Sequence, residues 1–277
     1  MTEHIARRPP IALTIAGSDP SGGAGIQADL KTFSALGVYG ASVISALTAQ
    51  STQGVTGVLS VPNDFLALQI DTLAADLRVT ATKTGMLGEE ATVLAVAAAI
   101  ERHALAPLVV DPVMVATSGD VLLAPSAIAA VRARLIPLAT LITPNLHEAA
   151  RLLDQPVAAS VDDMERQARD LLALGARAVL VKGGHSTGAE AVDVLAVRDG
   201  GVRHYSAPRI ETRNTHGTGC TLSAAITAGL AQGLALEDAV AAAKAYLTGA
   251  LAAGRDLEIG HGSGPVDHLY RVRGSRQ

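Results

Sequence analysis

The amino-acid sequence predicts an α/β fold with a mostly parallel central sheet and helices on both faces. Short apolar segments rich in β-branched residues alternate with longer segments of helical spacing through most of the chain. This alternation is typical of parallel sheets, because each strand needs a crossover helix to reach the next. The 277 residues are enough for one core and show no second unit. We therefore predict a single domain over 1–277, with 1–10 as a loose tail.

The first half of the chain begins with a short apolar strand at 11–16. It ends in a loop of glycine, serine, aspartate and proline, and helical spacing follows at 26–36. Asn63 is the expected N-cap of a helix that continues to 77. The other elements expected here are strands at 41–50, 55–61, 80–86 and 107–111 and a helix at 89–103. The last strand is almost wholly apolar, as expected for burial on both faces.

The second half continues the alternation and adds one hairpin. Residues 191–197 and 201–205 alternate like paired strands around an Arg198-Asp199-Gly200 turn. The other elements expected in this half are helices at 125–135, from 144, at 161–174, at 220–232 and at 236–253, and strands at 138–143 and 178–182. A loop-like tail follows at 260–265.

Composition and charge favour small-molecule partners. The net charge is −4 and charges of both signs are scattered, so we find no basic stripe for nucleic acid and no polybasic membrane anchor. We find no signal-peptide segment and no apolar helix long enough to span a bilayer. The single cysteine excludes an internal disulfide framework and favours a cytoplasmic location. The dispersed histidines argue against a zinc site.

The most informative segment is Asn214-Thr215-His216-Gly217-Thr218-Gly219-Cys220, a glycine turn that runs directly into a helix. Gly217 and Gly219 permit backbone conformations and ligand approaches that a Cβ would hinder. The free amides and the dipole of the first helical turn favour an anion, most often a phosphate. A thiol at a helix N-terminus has its anionic form favoured, so Cys220 is a candidate base. An ordinary turn with a small buried cysteine explains the segment equally well.

A second glycine-rich loop runs from Gly17 to Gly25, after the first strand. It has neither the G-x-G-x-x-G spacing of dinucleotide-binding loops nor the lysine of a P-loop, so we expect it to wrap a small substrate. Asp29, one turn into the next helix, can face the same cleft; a solvent-exposed aspartate is the alternative. The chain has only four lysines, and Lys83 and Lys182 end apolar segments, which favours a function for both.

Polar side chains end several predicted strands, where ligands bind in a parallel sheet. Gln50 can donate and accept hydrogen bonds together, which matches the ring-nitrogen and amino edge of a heterocycle. Asp111 ends a buried strand, ahead of a polar loop through Ser118-Gly119-Asp120 that is a candidate flap. Lys182 can reach a phosphate as a point charge.

Asn145 and Glu148 have the spacing of a capping box at the start of a helix. The alternative gives Glu148 a ligand function, in which it holds Mg²⁺ through water beside phosphates, where hard oxygen ligands are required. The residues alone leave both interpretations open.

Six motifs occur in the order seen in a known enzyme family. They are Gly17-Ser18-Asp19-Pro20-Ser21-Gly22-Gly23-Ala24-Gly25-Ile26-Gln27-Ala28-Asp29, Lys83-Thr84-Gly85-Met86-Leu87, Asp111-Pro112-Val113-Met114, Thr143-Pro144-Asn145 with Glu148, Lys182-Gly183-Gly184-His185 and Thr215-His216-Gly217-Thr218-Gly219-Cys220-Thr221. Over about residues 11–268 the chain resembles the bacterial hydroxymethylpyrimidine/phosphomethylpyrimidine kinases of thiamine biosynthesis, which belong to the ribokinase-like superfamily.

The resemblance implies a kinase that uses ATP and Mg²⁺ to convert 4-amino-5-hydroxymethyl-2-methylpyrimidine to its monophosphate and then to its diphosphate. It also implies a homodimer. A pyridoxal kinase of the same superfamily is the nearest alternative, and Gln50 with Met86 favours the pyrimidine. A sugar kinase is less favoured, because many relatives carry an aspartate base where this chain has Cys220. A pyrimidine-binding sensor without turnover is the non-enzymatic alternative, and Glu148, Lys182 and the glycine turn together argue against it.

The resemblance also assigns functions to single residues. The aminopyrimidine is expected against Gln50, Met86 and Val113, with Asp29 and Gly17 near it. The residues expected at ATP are Asn145, Lys182, Thr215, His216 and Gly219. The anion hole for the transferred phosphoryl group is expected at Gly217, Thr218, Gly219 and Cys220, and Mg²⁺, partly through water, at Glu148 and Asp111.

Overall fold

A central sheet and its helices make up most of the structure, a computed structural model that describes residues 8–115, 119–120, 122–184 and 188–274. The strands in these ranges are β1 (Ile11–Ala16), β2 (Tyr39–Ile44), β3 (Ala46–Ser51), β4 (Gly54–Ser60), β5 (Ala81–Thr84), β6 (Leu108–Val110), β7 (Leu141–Ile142), β8 (Ala178–Val181), β9 (Glu190–Val197) and β10 (Val202–Pro208). Eight of them form one sheet in the order β10-β9-β8-β7-β6-β5-β1-β2, and β3 pairs with β4 in a separate hairpin.

The central sheet is parallel from β2 through to β8. Strands β9 and β10 are antiparallel and form the hairpin expected around 198–200. The carboxyl ends of the parallel strands therefore meet at one end of the sheet. The predicted mostly parallel sheet is confirmed.

Helices cover both faces of the sheet, as predicted. They are α1 (Gly25–Ala35), α2 (Asn63–Asp76), α3 (Glu90–His103), α4 (Pro125–Ala130), α5 (Leu146–Leu153), α6 (Val161–Leu172), α7 (Thr218–Ala231), α8 (Leu236–Gly254) and α9 (Tyr270–Gly274). Helices α2 to α6 pack on one face, and α1, α7 and α8 pack on the other. None of the helices described here combines the length and the apolarity needed to cross a bilayer.

The two faces follow from the alternation of side chains along an extended strand. In β1, Leu13 packs in the core with α2 to α6, whereas Ala12 packs with α1 and α7. In β6, Val109 packs with α7 and α8, and its neighbours Leu108 and Val110 pack on the opposite face. Because both faces are covered, β6 is an unbroken apolar segment, which is how the sequence predicts it.

One predicted strand is wrong because the chain turns where its apolar pattern continues. The segment predicted as a strand at 41–50 forms β2 and β3, which lie in different sheets. Between them, the Ser45 amide donates to the Ala16 carbonyl at 3.0 Å. The Ser45 hydroxyl donates to the Met86 carbonyl at 2.7 Å. Ser45 thus fixes a corner at the ends of β1 and β5 and directs β3 away from the central sheet.

Two helix boundaries also differ from the prediction. Helix α2 begins at Asn63, but Pro62 is its N-cap residue and no side chain caps it. The Asn63 Oδ1 instead accepts from the Thr92 hydroxyl at 3.0 Å, which joins α2 to α3. Helix α4 continues as a π-helical turn, Val131–Leu135, and a 3₁₀ turn, Ile136–Leu138, and the strand that follows shortens to β7.

Candidate active site

The carboxyl ends of the parallel strands open into one cavity of about 750 Å³. Ligands bind at this end of open α/β sheets because the loops after the strands converge there. Every residue that the sequence analysis assigns to the site lines this cavity except Asp29. These residues are Gly17, Gln50, Met86, Asp111, Val113, Asn145, Glu148, Lys182, Thr215, His216, Gly217, Thr218, Gly219 and Cys220.

The glycine turn forms one wall of the cavity and begins α7. Gly217 is the N-cap residue and has a φ of 78°, a left-handed conformation that favours glycine. A Cβ at Gly217 would collide with the carbonyl oxygen of Gly23, so the turn packs directly against the loop after β1. The first-turn amides of α7 have no acceptor within the helix and lie at the positive end of its dipole. The wall is therefore suited to an anion.

Lys182 stands beside this wall. Its backbone amide donates to the Pro144 carbonyl at 2.8 Å, which fixes the residue at the end of β8. Its Nζ lies 2.8 Å from Asp111 Oδ1 and 3.9 Å from Glu148 Oε2. A Cβ added at Gly219 would lie 3.3 Å from the same Nζ. The lysine and the start of α7 thus face one small space, which suits a phosphate group.

Two buried carboxylates near Lys182 differ in their ionisation. Burial alone would raise the pKa of Asp111, but Lys182 and Lys83 outweigh burial and lower that pKa. Burial raises the pKa of Glu148 to about 7; Lys182 opposes this rise and the charge of Asp111 adds to it. The surroundings therefore favour the anion of Asp111, whereas burial favours the protonated form of Glu148.

Glu148 also caps α5. The Asn145 Oδ1 accepts from the Glu148 amide at 2.9 Å, and the Glu148 Oε2 accepts from the Asn145 amide at 2.7 Å. The capping box is thus present, and the same Glu148 side chain lines the cavity. The two interpretations of Glu148 are compatible, because a carboxylate has lone pairs for more than one partner.

Asp111 and Glu148 offer the oxygen ligands that Mg²⁺ prefers. Within the described ranges, no group of three or more His, Cys, Asp or Glu side chains is placed to hold a metal ion. Mg²⁺ usually takes one or two carboxylates and completes its shell with water and substrate phosphates, so two carboxylates fit it. The raised pKa of Glu148 supports this fit, because a divalent cation would favour the charged form of its carboxylate.

A second group of lining residues has the chemistry of a heterocycle site. Gln50 contributes an amide from β3, and Met86 and Val113 contribute apolar surface. Thr48, which also lines the cavity, donates to the Ser18 carbonyl at 2.8 Å and lies 3.2 Å from Gln50 Oε1. These contacts fix β3 against the loop after β1, so the amide of Gln50 has a defined position.

Cys220 is half-buried in the first turn of α7. Burial raises the pKa of its thiol to about 11 and outweighs the Lys83 ammonium and a hydrogen bond from the Gly25 amide, which both act to lower it. Burial therefore opposes the thiolate that the helix N-terminus predicts. The physical cause is the water that the sulfur loses on folding, and the function of Cys220 as the base stays a prediction.

Asp29 is neither exposed nor part of the cavity lining. It is fully buried, and both of its oxygens lie 2.8 Å from Lys83 Nζ. Its Oδ2 also accepts from the Thr14 hydroxyl at 2.6 Å. Both interpretations of Asp29 are corrected: its carboxylate neither faces the cleft nor meets solvent, because it holds a buried lysine. Lys83 itself lines the cavity.

Asp19 is a site residue that the sequence analysis missed. Its carboxylate accepts from the amides of Ser21, Gly23 and Ala24 and contacts His216 Nε2 at 2.7 Å. Burial opposes its charge, but the hydrogen bonds lower its pKa to about 2. The pair joins the loop after β1 to the glycine turn. An aspartate just ahead of serine and glycines commonly bonds its own loop in this way, and that signal could have identified it.

Two predicted features lie outside the described ranges. His185 closes the Lys182 motif, and Ser118 belongs to the candidate flap. Asp120 of that loop is described, and its Oδ2 accepts from the Val55 amide of β4 at 3.2 Å. This contact joins the loop after β6 to the β3–β4 hairpin.

Comparison with known proteins identifies a family. The phosphomethylpyrimidine kinase family matches residues 19–267. The hydroxymethylpyrimidine/phosphomethylpyrimidine kinase of Rhizobium meliloti is 57% identical over 261 residues, which cover 94% of this chain and 97% of that protein. The fold is similar to an ADP complex of Bacillus subtilis pyridoxal kinase, with a TM-score of 0.88 and 38% identity over 96% of this chain and 100% of that one. The fold is also similar to a Clostridium difficile phosphomethylpyrimidine kinase, with a TM-score of 0.76 and 44% identity. The similarity covers 86% of this chain and 97% of that one.

The matched range includes most of the loop after β1, the ends of β5, β6 and β8, and the glycine turn that begins α7. These are the segments that build the cavity. The chain therefore belongs to the phosphomethylpyrimidine kinase family, whose members are ribokinase-like kinases of thiamine biosynthesis.

Proposed function

We propose that the protein transfers the terminal phosphoryl group of ATP to the hydroxymethyl oxygen of 4-amino-5-hydroxymethyl-2-methylpyrimidine, and then transfers a second one to the resulting monophosphate. One observation carries the proposal. The glycine turn and Lys182 share a single cavity with Gln50, Met86 and Val113. A kinase needs an anion site and an acceptor site in one space, because the donor phosphate and the acceptor oxygen must meet.

The acceptor pyrimidine would bind against the Gln50 wall. The side-chain amide of Gln50 can donate to a ring nitrogen and accept from the amino group. Met86 and Val113 would cover the ring faces with apolar surface, and Gly17 leaves room beside them. The acceptor site would therefore combine one polar edge with apolar faces, as small-molecule sites usually do.

The phosphoryl group would pass along the glycine turn. Free amides at the start of α7 would stabilise its oxygens while charge moves, with Lys182 as a fixed positive charge. In the first transfer, the acceptor oxygen forms its bond to phosphorus as the bond to ADP breaks, and the hydroxyl proton passes to the Cys220 thiolate. In the second transfer the acceptor is already a phosphate anion, so it needs no base.

The remaining lining residues would hold the donor. Asn145, Thr215 and His216 would contact ATP, and the ADP bound by the Bacillus subtilis relative supports an adenine nucleotide. Glu148 and Asp111 would hold Mg²⁺, partly through water, and the ion would neutralise charge on the phosphate oxygens.

Pyridoxal is the second candidate acceptor. The structure has a higher TM-score with the pyridoxal kinase, 0.88, than with the Clostridium difficile phosphomethylpyrimidine kinase, 0.76. The relative at 57% identity is named for the pyrimidine, and the Gln50 amide matches an aminopyrimidine edge. The pyrimidine is therefore the preferred acceptor, and pyridoxal is tested beside it.

The decisive experiment incubates purified protein with ATP, Mg²⁺ and either the free pyrimidine or pyridoxal. Mass detection over time is expected to show pyrimidine monophosphate and then diphosphate. Lys182→Met protein, purified in the same way, controls for contaminating kinases. Formation of pyridoxal phosphate alone would reassign the acceptor. A protein that melts at a higher temperature with the pyrimidine, but consumes no ATP, would support a pyrimidine-binding sensor instead.

The homodimer, the single domain over 1–277 and the cytoplasmic location remain predictions. Light scattering on the purified full chain would measure the oligomeric state. Limited proteolysis would test for a second unit, because separate domains are cleaved first at the linker between them.

A further inference from the structure

The ammonium of Lys182 lies beside two carboxylates, and they belong to the two side chains proposed to hold Mg²⁺. Its Nζ is 2.8 Å from Asp111 Oδ1 and 3.9 Å from Glu148 Oε2. The exposed fraction is 12% for the Lys182 side chain, 1% for Asp111 and 7% for Glu148, so little water screens the three charges. A metal ion on these carboxylates would therefore share them with a second cation.

The carboxylate of Asp111 has a fixed position. Its backbone amide donates to the Thr84 carbonyl at 3.0 Å, which holds the residue at the end of β6. The Thr143 hydroxyl donates to Oδ1 at 3.1 Å, and the Ser223 hydroxyl of α7 lies 3.2 Å from Oδ2. Both hydroxyl side chains are fully buried. Of the two partners, Lys182 is therefore the one that can move, because its ammonium stands on a flexible four-carbon stem.

The same ammonium lies next to the proposed phosphate space. A Cβ at Gly219, in the first turn of α7, would lie 3.3 Å from Lys182 Nζ. The positive end of the helix dipole and the free amides of this turn favour an anion there. A small rotation of the lysine side chain would bring its ammonium from the carboxylates to a phosphate. Lys182 thus has two sets of anions within its reach.

We propose that Lys182 competes with a divalent metal ion for Asp111 and Glu148, and that a bound phosphate group relieves the competition by drawing the ammonium to itself. The two cations repel each other at the carboxylates, and phosphate oxygens supply the negative charge that both need. The inference rests on the proposed function for the placement of Mg²⁺ at these side chains. It follows that the native protein takes up its metal together with the nucleotide.

The first test measures metal binding without nucleotide. Mn²⁺ is the probe, because it prefers the same oxygen ligands as Mg²⁺ and its electron paramagnetic resonance signal reports the free ion. Titrations at about pH 8 give the dissociation constant. Lys182→Met is expected to bind Mn²⁺ about tenfold or more tightly than native protein, since a charge this close changes the proton affinity of a carboxylate by a similar factor.

Two further variants show whether the gain belongs to this site. Asp111→Asn/Lys182→Met removes both charges of the close pair and a metal ligand, so it is expected to lose the gain. Lys244→Met is the matched control. Lys244 lines the same cavity, and its Nζ lies 2.7 Å from the buried carboxylate of Asp193. Its Mn²⁺ affinity is expected to stay within about twofold of the native value, because a distant substitution acts independently.

The second test adds the nucleotide and is expected to reverse the sign. The Mn²⁺ complex of AMP-PCP is titrated into each protein by calorimetry. Lys182→Met should bind this complex about tenfold or more weakly than native protein, because the charged hydrogen bond to phosphate is lost. Misfolding would weaken both kinds of binding, so it cannot produce one gain and one loss.

Unchanged or weaker Mn²⁺ binding in Lys182→Met, with a melting curve that shows folded protein, overturns the proposal. An equal gain in Lys244→Met or in Asp111→Asn/Lys182→Met also overturns it, because the added ion would then bind elsewhere. Tighter binding of the nucleotide complex by Lys182→Met would overturn the part assigned to phosphate. A native protein that neither binds the complex nor forms product refutes the kinase proposal. The competition at the carboxylates would still stand if Lys182→Met gained Mn²⁺ affinity and Asp111→Asn removed the gain.

Discussion

Cys220 is a residue on which burial and charge act in opposite directions. Burial raises the pKa of its thiol to about 11, whereas Lys83 and the Gly25 amide act to lower it. Such a thiol holds little thiolate at neutral pH, but a thiolate of high pKa is a strong proton acceptor. The two proposed phosphorylations differ in whether they need this acceptor, so the residue can be tested by comparing them.

Cys220→Ala is expected to slow formation of the monophosphate by about 10²- to 10⁴-fold, the usual contribution of a general base. Formation of the diphosphate from added monophosphate should slow far less, because its acceptor oxygen is already ionised. Both rates are measured by mass detection, each from its own starting compound. Cys220→Ser is the matched control for side-chain size. Equal slowing of both steps would show that Cys220 acts through geometry.

The start of α7 uses two glycines for different reasons. Gly217 needs its left-handed φ of 78°, and a Cβ there would collide with the Gly23 carbonyl. Gly219 is an ordinary helical residue whose missing side chain leaves space beside Lys182 Nζ, 3.3 Å from where a Cβ would lie. The first glycine therefore serves the fold of the turn, and we propose that the second leaves space for a phosphate.

Gly219→Ala and Gly217→Ala should separate these two requirements. Gly219→Ala is expected to slow phosphorylation about tenfold or more, because its methyl group enters the phosphate space. Its stability should be unchanged or higher, since alanine is favoured over glycine in a helix by about 0.5–1 kcal/mol. Gly217→Ala should lower the free energy of unfolding by about 1–3 kcal/mol through backbone strain and the collision. Urea unfolding measures the stability of each variant, and the kinase assay measures its phosphorylation rate. A Gly219→Ala protein that is less stable than the native one but phosphorylates at the native rate would contradict the separate functions of the two glycines.

Elements set by local pattern could be predicted from the sequence, and those set by distant contacts could not. The strand β6 and the start of α7 are visible because apolar runs and glycine turns are local signals. The corner at Ser45 depends on Ala16, which is close only after folding. The buried position of Asp29 depends in the same way on Lys83, 54 positions later. The sequence thus predicted the cavity lining better than the residues that support it.

On the scale of the whole molecule, two histidine contacts join the wall of the cavity to segments that lie elsewhere in the sequence. Asp19 contacts His216 at 2.7 Å, and Thr221 of α7 contacts His268 Nε2 at 3.0 Å. The Thr221 hydroxyl donates its only proton to the Gly217 carbonyl at 2.8 Å. The contact therefore fits a ring that carries a proton on Nε2, and the lowered pKa of His268 favours the ring without a second proton.

The neutral His268 makes stability depend on pH. Burial is the main cause that lowers its pKa, from 6.5 to about 4, and the charges of Lys31 and His216 act in the same direction. Below pH 6.5 the unfolded chain therefore binds this proton more tightly than the folded one. The contribution of the neutral His268 to the free energy of unfolding is therefore complete above pH 6.5 and is lost as the pH falls through about 4. The total loss is about 1–3 kcal/mol.

His268→Gln should remove this part of the pH dependence, because the glutamine amide can still donate to Thr221 but does not titrate. We expect native protein to lose about 1–3 kcal/mol more than the variant between neutral pH and about pH 4.5, measured as free energies of unfolding in urea. Asp19 does not obscure the result: its folded pKa of about 2 lies below its ordinary 3.8, so its contribution is lost only at lower pH. Parallel pH profiles for the two proteins would mean that His268 takes up its proton in the folded state, and that its contact with Thr221 does not require a neutral ring.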